Sequence, residues 1–165
     1  MKNLFNNREK GLGTVSVVVI VAVIIVVGLF TFKSMGSNVQ ANKDLVLKFE
    51  DLAFEQKDVN AAAALLTDDF KQHNPQIPDG KDGFIQGVGG YLLKQNPNLK
   101  LIVKRVVAQD DMVVLHVFGK YDDKNPAERG VSIIDIFRIK DGKITEHWDV
   151  IESIPETSVN NNTMF

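Results

Sequence analysis

The sequence predicts an α+β domain, with helices in its first part and a curled antiparallel sheet in its second. Two observations carry this. Apolar residues recur at helical spacing from about Asn42 to Gln95, and from Leu99 onward the pattern changes to a two-residue alternation. A third observation separates this domain from what precedes it. Of the 165 residues, 1–41 hold four bases (Lys2, Arg8, Lys10, Lys33) and one acid (Glu9), whereas 42–165 hold 15 bases and 20 acids.

The leader reads as a membrane segment. Thr14–Phe32 carries no charge, and Val17–Val27 is uninterrupted apolar sequence. At about 1.5 Å per residue such a stretch matches a hydrocarbon core of about 30 Å. Lys2, Arg8 and Lys10 precede it, so the positive-inside rule leaves 1–13 in the cytoplasm and the domain outside. The length favours an uncleaved single transmembrane anchor over 14–32. The alternative is an exported chain, secreted or periplasmic after cleavage near Ala41, with Val39-Gln40-Ala41 as the site. Residues 33–41 read as a short polar linker.

Composition narrows the chemistry. Without cysteine there is no disulfide framework, zinc ribbon or thiolate nucleophile. The acidic domain lacks the basic footprint of a nucleic-acid binder. His73, His116 and His147 lack close metal-ligand spacing, so no metal is expected. Nucleophile elbow, phosphate loop and dinucleotide fingerprint are all missing.

Within the domain, Asn42 is an N-cap candidate, and Leu45, Phe49, Leu52 and Ala53 follow helical spacing, widened by Val46 and Phe54. Asp58 caps a second helix, Val59 to Leu66. Thr67–Phe70 reads as a short helical turn, and Pro75 and Pro78 bar helix beyond it. A third helix is expected from Lys81 to Gln95. Its glycines Gly87, Gly89 and Gly90 each cost about 1 kcal/mol against alanine, which implies close packing or a helix that yields to make room. Strands are expected over Leu99–Gln109, Met112–Tyr121, Gly130–Lys140 and Lys143–Ser153, with tight turns at Asp110-Asp111 and Asp141-Gly142.

Alternation then points to the chemistry. Met112, Val114, His116 and Phe118 share one face of their strand, and Val131, Ile133, Asp135, Phe137 and Ile139 share one face of the next. Reading both as inward faces puts a carboxylate and an imidazole among apolar residues. A buried carboxylate needs a partner or a proton. His116 is the expected partner, which makes Asp135 and His116 the catalytic candidates; Arg105 and Arg138 are structural alternatives. On the last strand, Ile144, Glu146, Trp148 and Val150 share one face, and Thr145, His147, Asp149 and Ile151 the other. One of His147 and Trp148 therefore faces the cavity, and alternation leaves open which. His73, Trp148, His147, Asp149, Phe137 and Phe118 are the candidate binding residues.

The runs QHNPQIPDGKDGF (72–84), VSIIDIFRIKDGKITEHWDVIE (131–152) and PETSVNNNTMF (155–165) resemble the SnoaL-like polyketide cyclase family, nearest its aldol-condensation-catalysing bacterial branch. That family belongs to the nuclear-transport-factor-2-like superfamily, with ketosteroid isomerase and scytalone dehydratase. The resemblance covers 42–165. It implies a cone-shaped barrel, with three N-terminal helices packed on a curved antiparallel sheet over an apolar pocket. It also implies cofactor-free aldol or proton-transfer chemistry, a small apolar ligand and a homodimer. Asp135 matches the family's general base or acid, and His116 is the nearest match to its pocket histidine. A membrane leader departs from the cytoplasmic cyclases. The expected function is a membrane-anchored or exported domain with a small-molecule pocket, acting as a lyase or isomerase. The alternative is a non-catalytic binding or dimerisation module of the same fold.

Overall fold

The structure, a computed structural model, describes residues 38–165 together with Ile25. The expected cytoplasmic segment, the expected anchor (Ile25 apart) and residues 33–37 of the linker lie outside the described residues. Among the described residues no helix is long and apolar enough to cross a membrane.

The unit Asn38–Phe165 begins on a helix. This first helix, α1, occupies residues 38–55 and widens to a π-helical turn over Asp51–Glu55. It is already formed at Asn38, ahead of the expected cap at Asn42. Asn42 instead lies inside it and donates from Nδ2 to the Asp110 carbonyl at 3.0 Å. The buried stripe of α1 is Val46, Phe49, Glu50 and Ala53, the three- and four-residue spacing of a helix face. Helix α2, Val59–Ala63, is capped as expected by Asp58, whose carboxylate accepts from the Ala61 N–H at 2.9 Å.

The chain then forms a strand, β1, over Leu66–Gln72, where a helical turn was expected. Leu66 and Phe70 are its buried residues, and their four-residue spacing imitates a helix. Residues four apart also share one face of a strand, and the register with β5 shifts between Leu66 and Lys71. The third helix, α3, runs over residues 80–95: α-helical over Gly80–Phe84, π-helical over Ile85–Leu92 and α-helical again over Leu93–Gln95. Close packing explains two of its glycines. A Cβ at Gly83 would sit 2.3 Å from the Pro78 carbonyl oxygen, and one at Gly87 would sit 2.9 Å from Ile77 Cγ2. Both hold α3 against the Pro-flanked loop.

Four long strands follow: β2 (Lys100–Gln109), β3 (Met112–Lys120), β4 (Val131–Lys140) and β5 (Lys143–Ser153). The sheet is five-stranded, in the order β1-β5-β4-β3-β2. β2 to β5 form the expected antiparallel meander, but β1 pairs parallel to β5, so the curved sheet is mixed. The Asp141-Gly142 hairpin has positive φ at both residues, 51° and 73°, as the favoured two-residue turn requires. Phe49 bridges the helices to the sheet, its ring 5.2 Å from Phe84 and 5.8 Å from Phe137.

Alanine at Gly83 is expected to destabilise the fold by about 1–3 kcal/mol, because the Pro78 backbone cannot yield. Alanine at Gly90, where nothing lies within 4 Å, is expected to stabilise it by about 0.5–1 kcal/mol. Equilibrium urea unfolding checks both, and a Gly90→Ala loss larger than that of Gly83→Ala would contradict the packing.

Candidate active site

β4 carries Val131, Ile133, Asp135, Phe137 and Ile139 to the helix-facing side, as alternation predicts. Asp135 is 8% exposed and lines a cavity of about 130 Å³ between the sheet and the helices. The cavity walls are largely apolar, with Phe49, Phe70, Phe84, Val88 and Ile133 among them. Glu50, Gln72, Asn74, His147 and Asp149 supply polar groups.

The expected pair of Asp135 with His116 does not form. On β3 the buried residues are Val113, Leu115 and Val117, so the residues sharing a face with His116 point to the other side of the sheet. Both faces of β3 are apolar, which is why alternation set the faces apart without saying which is inside. His116 sits between Arg105 and Ser132, with Nδ1 3.0 Å from Arg105 Nη1 and Nε2 3.1 Å from Ser132 Oγ. Phe118 lies on that outer face with it, and both rings pack on Phe165 with centroids 5.2 Å apart.

The imidazole beside Asp135 belongs to His147, whose Nε2 lies 3.2 Å from Asp135 Oδ1. An irregularity of register brings it there. Arg138 pairs with Glu146, but the next β4 residue, Ile139, pairs with Ile144. The extra residue on β5 is a bulge that puts Ile144 and His147 on the same side. It leaves Trp148 on the outer side, stacked on His73 at 4.5 Å and 3° between planes. His73 also contacts Glu146 at 3.3 Å. Neither His73 nor Trp148 lines the cavity, whereas Phe137, His147 and Asp149 do.

The loop after β1 fixes the orientation of the whole cluster. Gln72 Oε1 accepts the Asn74 backbone N–H at 3.0 Å, and Asn74 Oδ1 accepts the Gln76 N–H at 2.7 Å. A backbone N–H is always a donor, so these two bonds identify the oxygen ends of both amides. His147 Nδ1, 2.9 Å from the same Gln72 oxygen, must therefore carry a hydrogen. In a neutral imidazole the other nitrogen then presents a lone pair toward Asp135. Two lone pairs do not face each other in a dry pocket, so one proton lies between Nε2 and Oδ1. The Asn74 amide nitrogen donates to Asp149 Oδ2 at 2.6 Å. Gln72 is itself held by its backbone N–H, which donates to Asp79 Oδ1 at 2.8 Å.

Burial pushes the Asp135 carboxyl above the usual range. The hydrogen bond and charge of His147 oppose that rise, and the Asp149 charge adds to it. Glu50 stands well above the usual range, first because of burial and then because of the Asp135 charge. No expectation from sequence included Glu50, Gln72 or Asn74. Glu50 was visible in principle as the one acid in the stripe of Val46, Phe49 and Ala53. One ligand atom from each of Asp135, His147 and Asp149 lies within 4.8 Å of the others, a donor set able to hold a metal ion. A cation there would compete with the shared proton for the same lone pairs.

The architecture is shared with an NTF2-like protein of unknown function from Cytophaga hutchinsonii, at TM-score 0.54 and 18% identity, over 67% of this chain and 89% of that one. It is shared with a candidate ketosteroid isomerase from Kribbella flavida, at 0.59 and 17%, over 78% and 90%. It is shared too with AclR, a candidate hydroxylase from Streptomyces galilaeus, at 0.57 and 23%, over 71% and 82%. The fold is thus the NTF2-like α+β fold. The family model of the SnoaL-like domain matches residues 46–147, and the chain belongs to that family. No curated protein matches it.

The raised Glu50 carboxyl has a consequence for stability. A group whose pKa is higher in the folded chain contributes stability that is complete below its unfolded value and is lost as pH rises toward the folded value. Glu50→Gln removes that loss. The variant is expected to gain stability relative to wild type as pH rises from about 4 to 8, where an unfolded glutamate is ionised. Urea midpoints at several pH values check this, and a constant difference across the range would contradict it.

Proposed function

We propose that the domain binds a small, mostly apolar molecule and catalyses cofactor-free proton transfer on it, as a lyase, isomerase or aldol-type cyclase. The observation that carries this reading is the Asp135–His147 contact inside an apolar cavity. The proton of a C–H bond beside a carbonyl passes to the Asp135 carboxylate, and the electron pair moves toward the carbonyl oxygen. His147 holds the aspartate by its Nε2–H, and Gln72 holds His147 by Nδ1. The resulting enolate either takes the proton back at another carbon or attacks a second carbonyl, so no redox partner is needed. The role first expected of His116 falls to His147 in this scheme. Membership of the SnoaL-like family and likeness to a candidate ketosteroid isomerase support it.

Anchoring by residues 14–32 with the domain outside the cytoplasm belongs to the same proposal, on the strength of the leader's charge and length. So does a homodimer, for which the exposed Val107, Ile134 and Val150 offer apolar surface.

A ligand screen by thermal shift, with the chain and its Asp135→Asn variant side by side, tests the chemistry. The expected result is a carbonyl ligand whose solvent proton exchange falls at least about 100-fold in the variant. Equal binding without exchange in either chain would leave a ligand-binding module instead. N-terminal sequencing of the membrane fraction tests the anchor, and a mature chain starting at Asn42 would refute it.

A further inference from the structure

Among the described residues, Glu50 and Asp135 are the two buried acids. The proton transfer proposed above uses Asp135 and leaves Glu50 without a task. Its place is not explained by packing, since the neighbouring positions of its stripe are Val46, Phe49 and Ala53 and an apolar residue would suit it better. Nor is it held as a structural ion pair. The described residues place no salt bridge on it, and its ionisation is disturbed by burial and by Asp135 rather than by any donor. Among the described residues no buried side-chain oxygen or nitrogen lacks a partner, so the Glu50 oxygens are not sealed in protein; they open on the cavity that Asp135 lines. The helix widens to its π turn directly after Glu50, with the Gln56 N–H bonded to the Asp51 carbonyl at 2.9 Å. Such turns gather at functional sites.

Two carboxyl groups in one apolar cavity do not both ionise readily. His147 is hydrogen-bonded to Asp135, and among the described residues nothing comparable reaches Glu50. The negative charge therefore settles on Asp135 and the proton stays on Glu50, which makes one an acceptor and the other a donor.

We propose that Glu50 is the hydrogen-bond donor of this pocket, gripping the carbonyl oxygen of a neutral, enolisable ketone while Asp135 removes the adjacent proton. This rests on the proton-transfer reading above. The C–H bond breaks, its proton passes to Asp135, and its electrons form the new C=C bond. The carbonyl π electrons move onto oxygen, where the Glu50 O–H stabilises them. Collapse of the enol reverses each movement, with the proton returned to the same or another carbon. The substrate class follows from charge. Glu50 shares the cavity with Asp135, Asp149, His147, Lys120 and Tyr121. A ligand carboxylate would add a further like charge beside the acids, whereas a neutral carbonyl accepts a hydrogen bond without one.

The test uses the full chain and 2-tetralone, an apolar ketone, with α-deuterium uptake from D2O followed by NMR. Glu50→Leu, which removes the donor, is expected to lower kcat about 10²–10³-fold. Glu50→Gln keeps an N–H donor, so its loss is intermediate, with KM little changed. The wild type is expected to lose kcat/KM on the alkaline side as Glu50 releases its proton, and Glu50→Gln to lack that limb. Exchange at the wild-type rate in Glu50→Leu, with exchange abolished in Asp135→Asn, would overturn the role of Glu50 and keep that of Asp135. A wild type no faster than buffer would overturn the proton-transfer reading and this role with it. A substrate-free measurement stands beside these. The infrared band of a protonated carboxyl, present in the folded wild type and lost in Glu50→Gln, supports the proposal; a wild type without that band at neutral pH overturns it.

Discussion

A carboxylate inside an apolar sheet face sets the terms for the rest of this domain. Asp135 sits between Ile133 and Phe137 on the inward side of β4, only 8% exposed. A charge so placed is tolerated only with a partner or a proton. His147 meets that need from the neighbouring strand, and the bulge in β5 is what turns its ring inward. The ring is oriented in turn by Gln72, at the end of β1, so the parallel edge strand and the loop after it are tied to the same point. The Asn74 amide extends this chain of bonds to Asp149. A run of five residues, Gln72 to Gln76, therefore acts as a bracket built from backbone-anchored amides.

That bracket gives direction to the chemistry. Because two backbone N–H groups identify the amide oxygens, Gln72 Oε1 is an acceptor on both sides, and His147 donates to it from Nδ1. The aspartate is left with burial that raises its carboxyl and a histidine contact that opposes the rise. Glu50, on the opposite helix, has burial without stabilisation. In the proposed reaction, environment alone separates two acids of similar intrinsic strength into a base and a proton donor. The family's fold supplies the cavity, and the polar residues within it decide what the cavity does.

Much of this was legible in the sequence, for identifiable reasons. Asp135 stood out as the one acid in the alternation of Val131, Ile133, Phe137 and Ile139, although Ile134 and Ile136 make the other face of that strand apolar too. The strands and the Asp141-Gly142 turn were clear from periodicity and turn chemistry. His116 was misplaced because β3 is apolar on both faces, so its alternation has a period but no direction. His147 and Trp148 were left undecided because a one-residue bulge inverts the faces on either side of it and leaves no mark in composition. β1 was missed because the four-residue spacing of Leu66 and Phe70 is shared by a helix and a strand. Glu50 needed only attention to an acid at a core position of a helical stripe.

Asp135 and His147 share one proton while His147 Nδ1 stays bonded to Gln72. Nitrogen-15 NMR of the His147 ring reads this directly, through the separate shifts of the two ring nitrogens. The geometry predicts a protonated Nδ1 in the folded chain and an Nε2 signal that shifts when its partner is lost in Asp135→Asn. A neutral ring protonated only at Nε2, with a bare Nδ1, would contradict it.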